Sequence, residues 1–268
     1  MTRSATTPTA LITGASAGIG EAYARLLAPS HKLILVARRE ARLHQLQDEL
    51  VRNGAEAETL VADLSAASGV ATVTTRLQAG DVSTLICNAG AGDYARFDTV
   101  PTQAIEERLR LNATATIELI GAALPAMLEA GAGTVVAVAS LLAFSGGQTN
   151  PRMPARTLYA ASKAATVAFI RCLAQELAET SIRVQVVCPG LVATDFNDGA
   201  GRHVPTAMSP ANVAGASLRG LELGETICVP ALADRSPLQA LLDAETALLA
   251  GGNRSGEPAS RYGLRHSD

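Results

Sequence analysis

The chain contains no tryptophan, and aromatic residues make up 3% of its 268 positions. An interior of that kind has to be built from Ala, Val, Leu and Ile, which suits helices packed over a parallel sheet. Histidine is equally sparse. His31, His44, His203 and His266 are scattered, so no metal-ligand pattern exists. Cys87, Cys172, Cys188 and Cys228 include no C-x-x-C pair, and three of them lie within or at the end of apolar, strand-like runs. Buried free thiols in a reducing cytoplasm are therefore expected. No basic block runs along a chain of formal charge −3, which argues against nucleic acid as a partner. Arg3 is not followed by a long apolar stretch before Gly14, so no signal peptide is expected. No uninterrupted apolar run reaches the length of a bilayer crossing, so the expectation is a cytoplasmic protein without a membrane partner.

What is present is a regular alternation. Hydrophobic residues make up 48% of the chain, enough for a sizeable core in one α/β domain. Short β-branched runs predict strands over 10–13, 32–37, 57–62, 84–88, 133–139, 183–188 and 226–229. Stretches rich in Ala, Leu, Glu and Arg predict helices over 18–28, 39–53, 66–80, 102–130, 158–180, 210–223 and 237–249. Such βαβα order implies a parallel sheet with helices on both faces, doubly wound through right-handed crossovers. Pro125 is expected to kink the fourth helix. Two Gly- and Pro-bearing loops, 141–157 and 190–208, follow strands and so lie at the edge where open α/β sheets bind ligands. The domain is expected to span 1–250, with 251–268 a mobile tail.

The first strand runs into Gly14-Ala-Ser16-Ala-Gly18-Ile19-Gly20, and a helix follows. Glycine at the strand end permits a tight turn, and glycines at the helix start let backbone N–H groups approach a pyrophosphate favoured by the helix dipole. Three glycines alone are common in loops. The strand–turn–helix context is what points to a dinucleotide. The second strand ends in Arg38-Arg39. NAD-binding units usually carry an acidic residue there for the ribose 2′-hydroxyl, whereas a guanidinium suits a 2′-phosphate. Arg38 is the first choice for that contact and Arg39 the second. Glu40 keeps NAD(H) open as the alternative to NADP(H).

Tyr159-Ala-Ala-Ser-Lys163 opens a helix and puts a phenol and an ammonium on one face. A nearby ammonium favours the phenolate, which would make Tyr159 an acid–base group near neutral pH. Ser140 ends the preceding strand, where a hydroxyl could hydrogen-bond a substrate oxygen. Asn112 lies in the long helix. Taken singly these are ordinary: a helix surface pair, a cap residue and a locally bonded amide.

Together and in order, Thr13-Gly-x-x-x-Gly18-x-Gly20, Asp63-Leu64, Asn88-Ala89-Gly90, Asn112, Ser140, Tyr159-x-x-x-Lys163 and Pro189-Gly190 resemble the short-chain dehydrogenase/reductase superfamily in its single-domain form, over about residues 8 to 230. The resemblance implies a seven-stranded parallel sheet in the order 3-2-1-4-5-6-7. It implies that Tyr159 is the acid/base, that Lys163 holds the nicotinamide ribose and tunes Tyr159, that Ser140 orients the carbonyl, and that Asn112 supports a water in a proton relay. Gly14, Ser16, Gly18, Ile19 and Gly20 would cradle the phosphates. Asp63 and Leu64 would border the adenine, and Asn88, Ala89 and Gly90 would line the cleft. Pro189, Gly190, Val192 and Thr194 would hold the nicotinamide end.

Three departures stand out. Cys87 replaces a first Asn, and Ala17 stands where one NADP-type subgroup carries a basic residue. Ser140 and Tyr159 are nineteen positions apart, about six more than is usual. The extra residues, around 148–156, are expected to bulge at the substrate mouth, with Ser145 as the fallback should Ser140 be displaced. The stretch from Ser209 through Pro230 resembles members with a short substrate loop and an added C-terminal helix. Leu191, Phe196 and Met208 suggest a partly apolar pocket, with Asn150 and Arg152 on its rim.

The function expected is an NADP(H)-dependent oxidoreductase acting on a small-molecule carbonyl or secondary alcohol. Its rivals are an epimerase or dehydratase on the same fold, and a catalytically silent dinucleotide sensor or scaffold. A homodimer or homotetramer, paired through the Ala-rich fourth helix and the Tyr-bearing helix, is expected.

Overall fold

Residues 9–13 are all buried, with apolar Ala10, Leu11 and Ile12 filling a strand sealed on both faces and a threonine at either end. The computed structural model, which describes residues 7–92, 94–151, 153–252 and 256–263, places this strand, β1 (Thr9–Thr13), at the heart of a parallel sheet. β2 (Lys32–Ala37), β3 (Ala57–Val61), β4 (Val82–Cys87), β5 (Gly133–Val138), β6 (Ile182–Val187) and β7 (Ile227–Cys228) complete it, in the order β3-β2-β1-β4-β5-β6-β7. Leu11 lies between Ile34 of β2 and Leu85 of β4, and all three are essentially inaccessible. Burying each such side chain contributes about 1.5–3 kcal/mol.

Helices cover both faces. Tyr23 and Leu27 of α1 (Gly18–Leu27), Leu43, Leu46 and Leu50 of α2 (Glu40–Arg52), and Val213, Ala214 and Leu221 of α8 (Pro210–Glu222) share one apolar cluster with β1 and β2. Opposite them, α3 (Ala67–Leu77) packs on α5 (Ala115–Ala130), α5 on β4 and β5, and α6 (Thr157–Glu176) on β6. The chain reverses its winding between β1 and β4, so their carboxyl ends diverge into a crevice at Gly14 and Asn88.

The helix expected over 102–130 is continuous but irregular. It begins as α4 (Thr102–Leu109), passes through a π-helical turn at Arg110–Thr114, and resumes as α5. The departure from α geometry therefore sits at Asn112, and Pro125 stays inside α5. By length and composition this helix is long and apolar enough to cross a membrane, although charged residues such as Glu118 interrupt its apolar run. Half of its most apolar window is buried in the fold, including Leu119, Ile120, Ala123 and Met127.

Cys87, Cys188 and Cys228 are buried free thiols, as expected, but Cys172 is exposed on α6. Burial pushes the Cys87 and Cys188 thiols up to about 12. The segment Leu232–Asp268 is a second compact unit, holding α9 (Ser236–Gly252) and a 3₁₀ turn at Ser260–Tyr262. Asp234 accepts from the Ser236 N–H and hydroxyl at 2.9 and 2.6 Å at the start of α9. Of the expected mobile tail, 253–255 and 264–268 lie outside the described residues.

Candidate active site

At the carboxyl edge, the Thr13 side chain ties β1 to β4. Its Oγ1 accepts from the N–H groups of Asn88 and Ala89 at 2.9 and 3.0 Å. The Asn88 amide donates back to the carbonyls of Thr13 and Gly14 at 3.0 and 3.3 Å. The turn that follows requires its glycines. Gly14 has φ +67°, and a β-carbon there would stand 2.6 Å from Asn88 Nδ2. At Gly20 a β-carbon would collide with the Gly14 carbonyl oxygen. Only a bare backbone lets α1 start this close to the strand, leaving its first N–H groups aimed at the crevice.

The two arginines after β2 take different partners. Arg39 donates from Nε and a terminal nitrogen to Ser16 Oγ at 3.2 and 3.1 Å. Arg38 faces Asp63 Oδ2 at 3.7 Å. Burial, together with Arg42 and Arg38, holds the Arg39 guanidinium below its ordinary value, the mark of a crowded positive site. Asp63 Oδ1 accepts from the Ser65 N–H and hydroxyl at 3.0 and 2.7 Å. Burial works against its ionisation, but the Ser65 hydrogen bonds and Arg38 win, and its carboxyl lies below the usual range.

Deeper in the crevice, the Asn112 side chain is saturated by one backbone unit. Its Oδ1 accepts from the Ala91 N–H at 2.9 Å, and its Nδ2 donates to the Ala91 carbonyl at 3.0 Å. Its own carbonyl accepts from Thr166 Oγ1 of α6 at 3.2 Å. Asn112 thus fixes the strand-end loop against α6 rather than offering its amide to the crevice. Lys163 is buried, and its Nζ donates to the Val138 carbonyl at 3.0 Å. Burial lowers its ammonium to about 8.

Tyr159 is buried and lines the same cavity as Ser140, whose Oγ accepts from the Leu142 N–H at 3.1 Å. The Tyr159 ring stands edge-on to Tyr94, with centroids 5.5 Å apart, and tilted toward Phe196 at 6.0 Å. Burial, and then Tyr94, push its phenol above the ordinary range, while Ser140 pulls the other way. This corrects the expectation of a phenol lowered by Lys163. The Nζ is engaged by Val138 and lies 5.9 Å from the ring centre, so burial prevails and the phenol keeps its proton.

Of the residues singled out from sequence, Gly14, Ser16, Gly18, Ile19, Arg38, Arg39, Leu64, Asn88, Ala89, Gly90, Ser140, Tyr159, Lys163, Pro189, Gly190, Val192 and Thr194 line one cavity of about 660 Å³. Gly20, Asp63 and Asn112 support its wall without lining it. Ser140 keeps its place beside Tyr159. Ser145 is buried and taken up by Arg156, which donates to its Oγ at 2.7 Å, so it does not stand in for Ser140. Leu191 and Phe196 line the cavity, whereas Met208 bridges to Val192 and pins the loop ends. Asn150 does not line it, and Arg152 lies outside the described residues. Sequence reasoning passed over Tyr94, Ala91 and Arg156. The one available signal was an arginine ending the extra residues just before the Tyr159 helix.

A sequence model described as short chain dehydrogenase matches residues 8–204. The chain belongs to the short-chain dehydrogenase family. It is 30% identical over 80% of its length to an uncharacterized oxidoreductase of Staphylococcus saprophyticus, covering 90% of that protein. It is 32% identical to a ketoacyl reductase of Nostoc sp. over 78% of this chain and 70% of the other. Among solved structures, a short-chain dehydrogenase from Sphingobium yanoikuyae in complex with NADPH has 33% identity and a TM-score of 0.88, with 95% of this chain and 100% of that one covered. A bulky-bulky ketone specific alcohol dehydrogenase from Comamonas testosteroni has 31% identity and a TM-score of 0.86, with 96% and 99% covered. The seven-stranded order above is the family's fold, and the chain is a short-chain dehydrogenase-type oxidoreductase.

Proposed function

We propose that the chain is an NADP(H)-dependent carbonyl reductase or alcohol dehydrogenase with Tyr159 as its acid/base. The observation that carries this reading is that Tyr159, Ser140 and Lys163 line one cavity with the Gly14–Gly18 turn. The residues present fit a dinucleotide. The turn at Gly14 and Gly20 tolerates no β-carbon, and Arg39 stands over Ser16 with donors suited to a 2′-phosphate. Gly14, Ser16, Gly18 and Ile19 would hold the pyrophosphate, Leu64 the adenine, and Lys163 the nicotinamide ribose. NADPH, when bound, supplies the hydride for the carbonyl carbon.

The protein's own groups handle the oxygen. Tyr159 gives its phenolic proton as negative charge develops there. The Ser140 hydroxyl donates to the same oxygen. Lys163, anchored on Val138, adds a positive charge at the base of the site. A silent dinucleotide sensor would have no use for this buried set.

Tyr94, Leu141, Leu142, Pro154, Leu191 and Phe196 line the cavity and supply apolar walls. Together with the likeness to the Comamonas testosteroni enzyme, they support a ketone with bulky, uncharged substituents. A homodimer or homotetramer through α5 and α6, where Ile117 and Leu128 are exposed, belongs to the same proposal and is read by sedimentation. The deciding experiment is a panel of aromatic and aliphatic ketones with NADPH and NADH, comparing wild type with Tyr159→Phe. Turnover lost by about 10²–10⁴-fold in the variant, with NADPH still bound, is expected. Equal turnover in both, or none in the wild type, would sink the reading.

A further inference from the structure

The extra residues between Ser140 and Tyr159 raise a physical problem. A longer connection spans more conformations, so by itself it holds its ends less firmly in register. Yet Ser140 and Tyr159 line one cavity. The residue that closes this stretch is Arg156, at the threshold of α6, whose carbonyl accepts from the Ala160 N–H at 2.7 Å. Its guanidinium reaches back across the whole loop. Nε donates to Ser145 Oγ at 2.7 Å, one terminal nitrogen donates to the carbonyls of Ser145 and Gln148 at 3.0 Å each, and the other donates to the Pro154 carbonyl at 3.3 Å. Ser145 is buried, and its hydroxyl donates to the Leu142 carbonyl at 2.7 Å. The Leu142 N–H in turn donates to Ser140 Oγ at 3.1 Å. An unbroken run of polar contacts therefore joins Arg156 to Ser140.

We infer that Arg156 is a positioning residue that clamps the start of the Tyr159 helix onto the turn after Ser140, and so sets how Tyr159 stands relative to Ser140. The inference rests on the reductase reading above. A planar fork with several donors at fixed angles is what three separate oxygen-bearing residues demand, and a lysine cannot reproduce it. The clamp also places Leu141, Leu142 and Pro154, which line the cavity, so it shapes the mouth as well as the chemistry.

The test is a double-mutant cycle on the full chain with NADPH and the fastest ketone of the panel. Arg156→Ala should lower kcat by about tenfold or more while NADPH affinity stays within about twofold. Arg156→Lys should not restore it. In a Ser140→Ala background, Arg156→Ala should change kcat by less than about twofold, because its route to the chemistry is already cut. Full additivity, or wild-type kcat in Arg156→Ala, overturns the inference. Hydrogen exchange across 141–156 should quicken in Arg156→Ala, and unchanged protection overturns the clamp even where no ketone is turned over. Should Arg156→Ala fail to fold, Ser145→Ala removes the clamp's central hydroxyl and is read by the same cycle. A wild type silent on every ketone defeats the reductase reading, while the exchange measurement still decides the clamp.

Discussion

The Lys163 ammonium donates to the Val138 carbonyl oxygen at 3.0 Å and stands 5.9 Å from the centre of the Tyr159 ring. Burial lowers it from an ordinary 10.5 to about 8. Between those two values the folded chain binds fewer protons at this side chain than the unfolded chain does. The penalty of burying the charge is therefore complete below pH 8 and is relieved as pH rises toward 10.5. Lys163→Met, which keeps the length and discards the charge, should be more stable than wild type at pH 7, by an amount on the order of a few kcal/mol. That gap should shrink through the window. Melting temperatures of both proteins from pH 7 to 10.5 check this, and a gap that widens with pH contradicts the assignment.

Ser140 Oγ accepts from the Leu142 N–H and lines the cavity with Tyr159. In the proposed mechanism Ser140→Ala deletes a donor at the carbonyl oxygen, so kcat should fall by roughly 10²–10³. Ser140→Thr, which keeps the hydroxyl, should recover part of it. Steady-state kinetics of both variants decide the matter. A loss from Ser145→Ala as large as that from Ser140→Ala would mean that the wrong hydroxyl has been assigned.

The parts of the site that were legible are local in the chain. Gly14, Gly18 and Gly20 read as a phosphate turn because tight turns restrict residue type within a few positions, and Tyr159 and Lys163 because four residues make one helix turn. The sheet order came with the family resemblance. What was hidden depends on distant partners. Nothing in Arg38-Arg39 says that the second guanidinium swings to Ser16, twenty-three positions away, while the first meets Asp63. Asn112 read as a helical amide, but its pairing with Ala91 exists only once β4 and the long helix are assembled, in a helix opened by a π turn. The Tyr159 phenol was misjudged for the same reason. Its burial is a property of the packed site, whereas its distance of four from Lys163 is a property of the string.

Under the NADP(H) reading, we propose Arg39 ahead of Arg38 as the main 2′-phosphate contact. It reaches over Ser16 with Arg42 and Arg38 beside it and Asp195 at 4.0 Å, while Arg38 faces Asp63 at 3.7 Å. Losing one charge-assisted contact at a half-exposed site should weaken NADPH by about tenfold and NADH by less than about twofold. Arg38→Ala should do less to NADPH. Titrations by nicotinamide fluorescence measure all four affinities. An Arg39→Ala protein that loses both cofactors equally would tie this residue to the turn at Ser16 instead.

Phe196 belongs to the loop after β6, and its ring leans on the Tyr159 ring and on Gly92, where a β-carbon would stand 2.5 Å from Cε1. Tyr94 also stands against the Tyr159 ring, and both aromatics line the cavity that a substrate would enter. An aromatic pair is worth about 0.5–1.5 kcal/mol beyond its buried area, so Phe196→Ala should raise KM for aromatic ketones by about two- to tenfold. A small aliphatic ketone makes little use of that wall, and its KM should barely move. Proton donation does not pass through Phe196, so kcat should hold for both. A variant that loses kcat on both ketones alike would show that the ring's task is to fix Tyr159, and the apolar-wall reading of substrate choice would fail.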